Sequence, residues 1–433
     1  MSAPHDAPRD AIVIGGGIGG LVAAAYLRQT GASVVLLEAD EALGGACRKA
    51  AVLHALDPRV VKELALTRRG LKFAQRDMAL VALRQDGRHL VLGRDPHEAA
   101  RAIAAHSPTD AAAYKHYHSE VFALARAMRP WWWDDALAPE HVPARLKAMS
   151  AHAYLAGHFE TEALKSALAF DASQPLAPGS ALALVWRAAQ EMCGLQGAMA
   201  MPQGGGAALA ETLIAAAKEM GAEFRTKARV KALILDGDRA AGVELDSGET
   251  VYAPVVLSSL SRRATLVDLA PAASAGFAET HRLMRETPAE KETFVTLTLN
   301  AAPLLGGTQL AQAARFVIAE GEPVLEAVAA ESASHGQHML WVRAKGAPAL
   351  DAVIAQLERF TPLLRGRIVA SESVTRDVAR TQLLKPARER VATPIEGLFL
   401  CGGEAEPVEA LSGRAGRLAA ALATAYTARR KKP

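Results

Sequence analysis

Gly15, Gly17 and Gly20, followed at the end of the next apolar run by Glu38, are the residues whose types and spacing point most directly to a chemistry. In a Gly-x-Gly-x-x-Gly run the first glycine makes a tight turn, the second lets a pyrophosphate approach the backbone, and the third lets helix and strand pack closely. An acid in the position of Glu38 accepts hydrogen bonds from a ribose 2′-OH, where an arginine would suggest a 2′-phosphate. The chemistry is therefore the gripping of a dinucleotide. The elements that must position these residues are legible around them. Asp10 to Ile14 is an apolar run that breaks at Gly15, an alanine-rich helical pattern extends to Leu27, and Val34 to Leu37 is a second apolar run. Strand, turn, helix and strand follow in order, so the phosphates would sit on a helix N-terminus, where unpaired N–H groups and the dipole favour negative charge.

Two more glycine turns follow. The pair Gly44-Gly45, in the loop Ala39 to Arg48, permits close backbone approach and should return over the bound nucleotide. At Met201-Pro-Gln-Gly204-Gly205-Gly206 another helix N-terminus is presented, although its spacing is not that of a dinucleotide fingerprint and no ribose acid follows. Near the C-terminus an apolar strand runs into Cys401-Gly402-Gly403-Glu404, and Leu411-Ser412-Gly413 opens a last helix. With one full fingerprint among the glycine turns at the chain's beginning, middle and end, the pattern argues for one dinucleotide wrapped by three separated pieces of chain.

Between these turns the sequence alternates in character. Met78 to Leu83 and His89 to Leu92 read as a hairpin hinged at Asp86-Gly87, and Pro96 to Ala156 and Ala163 to Gln190 read as helical. Short β runs cover Glu223 to Ser258, ending in a buried strand. Beyond residue 271 a mixed segment holds strands at Phe294 to Asn300 and Met339 to Arg343 and a helix at Leu350 to Phe360. Trp131, Trp132 and Trp133 are consecutive on a helix, so they cannot share one face. Core and interdomain packing, an apolar cavity wall and a contact with a membrane surface are the three readings of that run.

At 433 residues, half of them apolar, the chain can hold two or three domains. A net charge of +3 gives no ground for nucleic-acid binding. The polar first ten residues lack a signal-peptide core and the longest apolar run is the fingerprint itself, so the expected compartment is the cytoplasm, with the inner face of a membrane as a peripheral site. Cys47, Cys193 and Cys401 form neither metal nor disulfide spacing. A redox dithiol starting at Cys47 would need a cysteine at position 52, which is Val52, so Cys47 reads as a small buried residue. His116 and His118 point in different directions on a helix and read as surface residues, Lys291 as a solvated lysine, and Arg429 to Lys432 as a solvated end. No Ser/His/Asp set, HExxH motif or catalytic carboxylate pair is recognisable.

Taken together, Gly15 to Glu38, Gly44-Gly45, the Pro202-to-Gly206 turn with the Val230 strand, and Cys401 to Gly416 resemble the flavin amine-oxidase and phytoene-desaturase superfamily. Within it the likeness is to the phytoene-dehydrogenase-related branch, with its carotenoid desaturases, retinol saturase and the pyridine nucleotide-disulfide oxidoreductase domain-containing protein 2 type. The segments from Pro58 to Leu71 and Ser107 to Tyr114 look like the last of these. The resemblance implies an α/β fold: a Rossmann-like FAD-binding domain of glutathione-reductase type from residues 1–93, 195–270 and 391–433, and a mixed α+β substrate domain from 94–194 and 271–390.

It implies non-covalent FAD as cofactor. By the family pattern Gly15, Gly17, Ile18, Gly19 and Gly20 hold the pyrophosphate and Glu38, with Ala39 beside it, the adenosine ribose. Gly44, Gly45, Ala46 and Arg48 line the pyrophosphate and ribityl chain, and Val230 offers main-chain contacts to adenine. Gly403 and Glu404 meet the ribityl or pyrophosphate, and Leu411, Ser412 and Gly413 lie near the flavin pyrimidine. Two departures stand out. The family often has arginine directly after the glycine pair, where this chain has Ala46, and it usually has a longer stretch before the next helix. The implied activity is an FAD-dependent oxidoreductase passing a hydride from an apolar, isoprenoid- or carotenoid-like substrate to flavin N5, with O2, a quinone or NAD(P) as electron acceptor. Such a reaction needs the C–H bond positioned and water excluded more than it needs a strong acid or base, and no catalytic residue is named. An amine-oxidase-like enzyme using O2 and a flavin-holding scaffold are the alternatives.

Overall fold

In the computed structural model, residues 9–133, 143–172, 174–286, 290–306, 314–331, 337–378 and 381–430 are described. A five-stranded, wholly parallel sheet holds one half of the molecule together, with strands in the order Leu398–Leu400, Val256–Ser258, Ala11–Ile14, Val34–Leu37 and Glu223–Arg225. Its inner strands are near-continuous runs of branched apolar residues because helices cover both faces of a parallel sheet. The helix Ile18–Gln29 lies between the first two strands in sequence, and its Val22-Ala23-Ala24-Ala25 run is fully buried against the helices Gly205–Glu219 and Arg414–Arg430. The first strand pairs on one side with the strand that follows its own helix and on the other with Val256–Ser258. That change of direction is where open α/β sheets bind ligands, beyond the carboxyl ends of the strands. A three-stranded antiparallel sheet, Val230–Asp236, Arg239–Leu245 and Thr250–Tyr252, covers the opposite face.

The second half is built on a seven-stranded sheet in the order Ile368–Val378, Glu290–Leu299, His338–Lys345, Leu325–Glu331, Ala314–Ile318, Ala79–Ala82 and Leu90–Leu92. The hairpin at residues 79–92 forms as its sequence predicts, but it joins this sheet through a parallel pairing of Ala79–Ala82 with Ala314–Ile318. The boundary expected at residue 93 therefore moves to before residue 79 for sheet membership, because hairpin signals fix local pairing and not the sheet that accepts it. Helices between Pro96 and Ala189 pack on one another beside this sheet around Tyr117, Trp132 and Trp186.

The tryptophan run is packing. Trp132 is buried and its Nε1 donates to Leu383 O at 3.0 Å. Trp133 lies between two guanidiniums, Arg129 at 4.1 Å and Arg414 at 4.3 Å from its ring centre, and the run ties the helical layer to the C-terminal segment. Among the described residues no helix is long and apolar enough to cross a membrane. Arg429 and Arg430 end the last helix exposed, while Lys431 and Lys432 lie outside the described residues.

Candidate functional site

The three fingerprint glycines each meet the steric demand their position sets. Gly15 has φ +88°, and a Cβ there would stand 2.3 Å from Ser259 Oγ. A Cβ on Gly20 would stand 2.0 Å from Gly15 O, the close helix-to-strand approach, whereas one on Gly17 would meet no protein atom within 4 Å. Gly17 caps the helix in extended conformation, and the first intrahelical bond runs from Leu21 N to Gly17 O at 2.9 Å. The amides of Ile18, Gly19 and Gly20 thus precede the helical ladder, as an anion site requires. Glu38 braces this turn: its Oε2 accepts from Gly16 N at 2.7 Å and its Oε1 from Asp40 N at 2.9 Å. Ala39 is half-buried beside it.

Distant pieces close on the same turn. Gly44 N donates to Gly16 O at 2.8 Å, and a Cβ on Gly45 would lie 3.5 Å from Gly17 Cα. Gly19 fits against the C-terminal strand so tightly that a Cβ would fall 1.8 Å from Cys401 O. Gly403 and Glu404 follow at once; Glu404 accepts from Arg262 N at 3.2 Å, and burial pushes its carboxyl above the usual range. The segment before Val230 grips the strand of the ribose acid, with Ala228 N on Glu38 O at 2.8 Å and Lys227 N on Asp40 O at 3.0 Å.

Other expected pieces are engaged elsewhere. The middle glycine turn serves packing: Gly206 N donates to Ala50 O at 2.7 Å, and a Cβ there would lie 2.0 Å from Cys47 O. Its glycines let the helix Gly205–Glu219 seat on the loop 45–50. Cys47 is buried there, its thiol 3.1 Å from Gly206 O and pushed up to about 12 by burial. Arg48 pairs with Glu211 at 2.5 Å and also donates to Leu43 O, while Ala46 is exposed. Leu411 is half-buried, but Ser412 is fully covered: its carbonyl accepts from Asp57 N at 2.9 Å and its hydroxyl pairs with Glu406. Gly413 lies under Val22 and Val60. The shortened stretch after Arg48 brings residues 53–60 directly onto this segment.

A second site that sequence reasoning did not find lies between the helical layer and the seven-stranded sheet. A cavity of about 150 Å3 is walled by Met78, Leu80, Leu92, Val121, Leu184 and Met199, with Tyr114 and Tyr117, and by the charged residues Asp77, Arg94, Asp171, Arg187 and Arg315. Arg315, 3% exposed, grips Asp171 through Nη2 at 2.6 Å and Nη1 at 3.1 Å and also pairs with Glu326. Arg343 shares Glu326 at 2.8 Å, and Lys345 holds Glu292 at 2.8 Å. Burial works against ionisation of Asp171, but Arg315 and Arg187 outweigh it and hold its carboxyl at about 2. His54 stands edge-on to Trp186 at 5.9 Å, and burial with the nearby Arg187 pulls it down to about 3, so it is neutral. His118, read from sequence as a surface residue, lines the cavity and stacks on Phe122 at 4.0 Å. Its spacing from His116 does put the two on different faces, and His116 is exposed. Lys291 is exposed and paired with Asp377 at 3.0 Å. Arg187, Asp171 and Arg315 are too far apart in sequence for any motif to join them. Among the described residues no cluster of His, Cys, Asp and Glu is placed to hold a metal ion.

Residues 10–422 match the family model described as FAD-dependent oxidoreductase. The chain belongs to that family. Its cofactor is FAD, and the Gly17 surface open to a phosphate, the Glu38 brace and the converging Gly44-Gly45 and Cys401-to-Glu404 backbone fit that group. The mouse protein named pyridine nucleotide-disulfide oxidoreductase domain-containing protein 2 is 31% identical over 318 residues, 60% of this chain and 55% of its own. A Paracoccus phytoene desaturase (lycopene-forming) is 27% identical over 292 residues, 60% of this chain and 56% of its own. The chain thus spans about half the length of the curated relatives it matches. A putrescine oxidase structure with bound putrescine has a TM-score of 0.66 at 15% identity, covering 98% of this chain and all of that one. An oxidoreductase structure from Methanosarcina mazei has a TM-score of 0.67 at 16% identity, covering 95% and 99%. At such identities these two speak for the fold.

Proposed function

We propose that this FAD-dependent oxidoreductase dehydrogenates, saturates or isomerises C–C and C–H bonds of an apolar, isoprenoid- or carotenoid-like substrate. The observation that carries the reading is the cavity beside the seven-stranded sheet, whose walls are mainly aliphatic and aromatic and whose charged residues Arg94 and Arg315 are paired with Asp77 and Asp171. At about 150 Å3 it is smaller than the few hundred Å3 usual for a small-molecule site, so it takes one end of a long molecule and not the whole. The carotenoid desaturases among the relatives support an apolar substrate. FAD, when bound, supplies hydride acceptance at N5. In the proposal the first amides of the fingerprint helix and Gly44-Gly45 take the pyrophosphate and Glu38 the ribose. Gly403, Glu404 and Leu411 approach the rest of the nucleotide, and the aliphatic wall orients the substrate and excludes water.

Anaerobic photoreduction of the purified protein, followed by mixing with a quinone, NAD(P)+ or O2, tests the reading. Reoxidation by one acceptor, together with bleaching of the oxidised flavin by an apolar polyene or its saturated counterpart, is the expected result. Rapid peroxide release with an amine would favour the amine-oxidase alternative, and a reduced flavin that nothing reoxidises would favour a scaffold.

A further inference from the structure

The helix Phe277–Arg285 turns its large apolar side chains outward. Leu283 anchors it in the core with Leu266 and Ala275, and on the same side Glu279 holds Arg262 at 2.8 Å and Arg282 at 2.9 Å. The outward face carries Phe277, His281 and Met284 at i, i+4 and i+7, where a helix packed on a globular core shows polar residues. Phe277 is 81% exposed and Met284 61%, and the rings of Phe277 and His281 stack with centres 5.8 Å apart. Leu384, also exposed, precedes Lys385, whose amine is lowered from its ordinary value by partial burial and by the nearby guanidiniums of Arg282 and Arg262. That proximity places residues 384–385 beside the helix. The chain entering the helix, Pro271-Ala272-Ala273, is exposed and uncharged. Around this surface Arg263, Arg285 and Lys385 are exposed with no ion-pair partner among the described residues, whereas Glu279 and Glu286 are both taken by Arg282. Asp268 is the exposed acid within residues 260–285 that is left without a pair among the described residues, so the rim is net positive.

We propose that this face docks on an anionic lipid bilayer, with Phe277 and Met284 entering the acyl boundary and Arg263, Arg285 and Lys385 meeting the headgroups. Exposed aromatic and long apolar side chains beside cations are what an interfacial helix requires, because apolar burial and attraction to anionic lipid add. A second copy of the chain is a poor occupant: a twofold contact centred on Phe277 and Met284 sets the same positive rim on both sides, and like charges facing each other oppose association. The adjoining segments bond Glu404 of the nucleotide site, through Arg262 N at 3.2 Å and Gln382 Nε2 at 2.8 Å, so the surface borders that site. An apolar isoprenoid-like molecule partitions into a bilayer and out of water. The inference thus deepens the proposed function by naming where the apolar substrate is held, and rests on that reading for its catalytic meaning.

The test is flotation of the FAD-loaded protein with vesicles of phosphatidylcholine alone and of phosphatidylcholine and phosphatidylglycerol in equal parts. Binding to the mixed vesicles should be roughly tenfold to a hundredfold tighter, the size of the effect of three cations near an anionic surface, and should weaken as salt is added. Phe277→Ser together with Met284→Ser should abolish flotation on both kinds of vesicle. Arg263→Gln, Arg285→Gln and Lys385→Gln together should remove the preference for anionic lipid. All five side chains are exposed, and the flavin spectrum reports that each variant is folded and loaded. No flotation with the mixed vesicles, equal binding to both kinds, or unchanged flotation of the serine variant would overturn the proposal. Self-association that the serine variant loses, without vesicle binding, would overturn it as well and make the face a contact between copies. Vesicle binding with no flavin bleaching by a polyene carried in the bilayer would leave this inference standing and defeat the substrate reading. Bleaching by a polyene in detergent, in a protein that never floats, would do the reverse, so the two failures are separable.

Discussion

In the parallel-sheet half, segments from opposite ends of the chain meet backbone to backbone, Gly19 against Cys401 O and Gly416 against Gly19 O, and the loop after the second strand joins them with Gly44 N on Gly16 O. In the cap half, segments meet through charge, with Arg315, Asp171 and Glu326 arriving from two strands and a helical layer. The first mode admits no added methyl group, and the second holds most of its buried charges in pairs. The nucleotide-binding half is therefore held by close backbone packing, whereas the cap is held by buried ion pairs.

The sharpest way to break the contrast is to unbalance the cap. Arg315→Met strands Asp171 and Glu326 in the interior and should cost about 3–5 kcal/mol, read as a fall in the urea midpoint; a small change would mean that the charges are not structural. Gly19→Ala should cost up to about 3 kcal/mol as backbone is forced apart, with loss of bound flavin, and a stable, fully loaded variant would show that the close approach to Cys401 O is not essential. Acid acts on the cap through Asp171. Its folded value of about 2 lies below the unfolded value near 4, so its stabilisation is present above pH 4 and is lost as the pH falls through 2, an effect of about 2 kcal/mol. His54, neutral when folded and held at about 3, adds a loss that begins earlier, as the pH drops below its ordinary 6.5. His54→Phe should flatten urea midpoints measured between pH 6.5 and 3. Smallest is Lys291→Met, which breaks an exposed pair and should change stability by less than about 1 kcal/mol and flavin reduction not at all.

The two halves also differ in how legible they were. The nucleotide-binding half is written in local sequence: the turn at Gly15, the helix after it and Glu38 at the end of a strand are contiguous, and each glycine's spacing states a steric need. The cap is not. Ala314–Ile318 and Leu325–Glu331 are separated by a turn signal at Gly321 and Pro323 that the sequence reading did not use, and only tertiary pairing gathers them with Ile368–Val378 and residues 79–92. Arg187 looks like any helical arginine until the fold seals it beside Asp171 and Arg315. The packing role of the middle glycine turn was not legible either, since glycines that admit a phosphate and glycines that admit the carbonyl of Cys47 look alike in sequence. The short stretch after Arg48 was visible, but not that it would lay residues 53–60 over Ser412.

Gly17 offers the most direct test of the central claim, that separated backbone segments converge to grip FAD. A Cβ there meets no protein atom within 4 Å and the backbone is already extended, so Gly17→Val should leave the fold and its urea midpoint in the absence of flavin unchanged. The account predicts that the unaltered protein is yellow and releases FAD on extraction, while the valine variant is folded and colourless even with added FAD. A folded valine variant that carries as much FAD as its parent would contradict it.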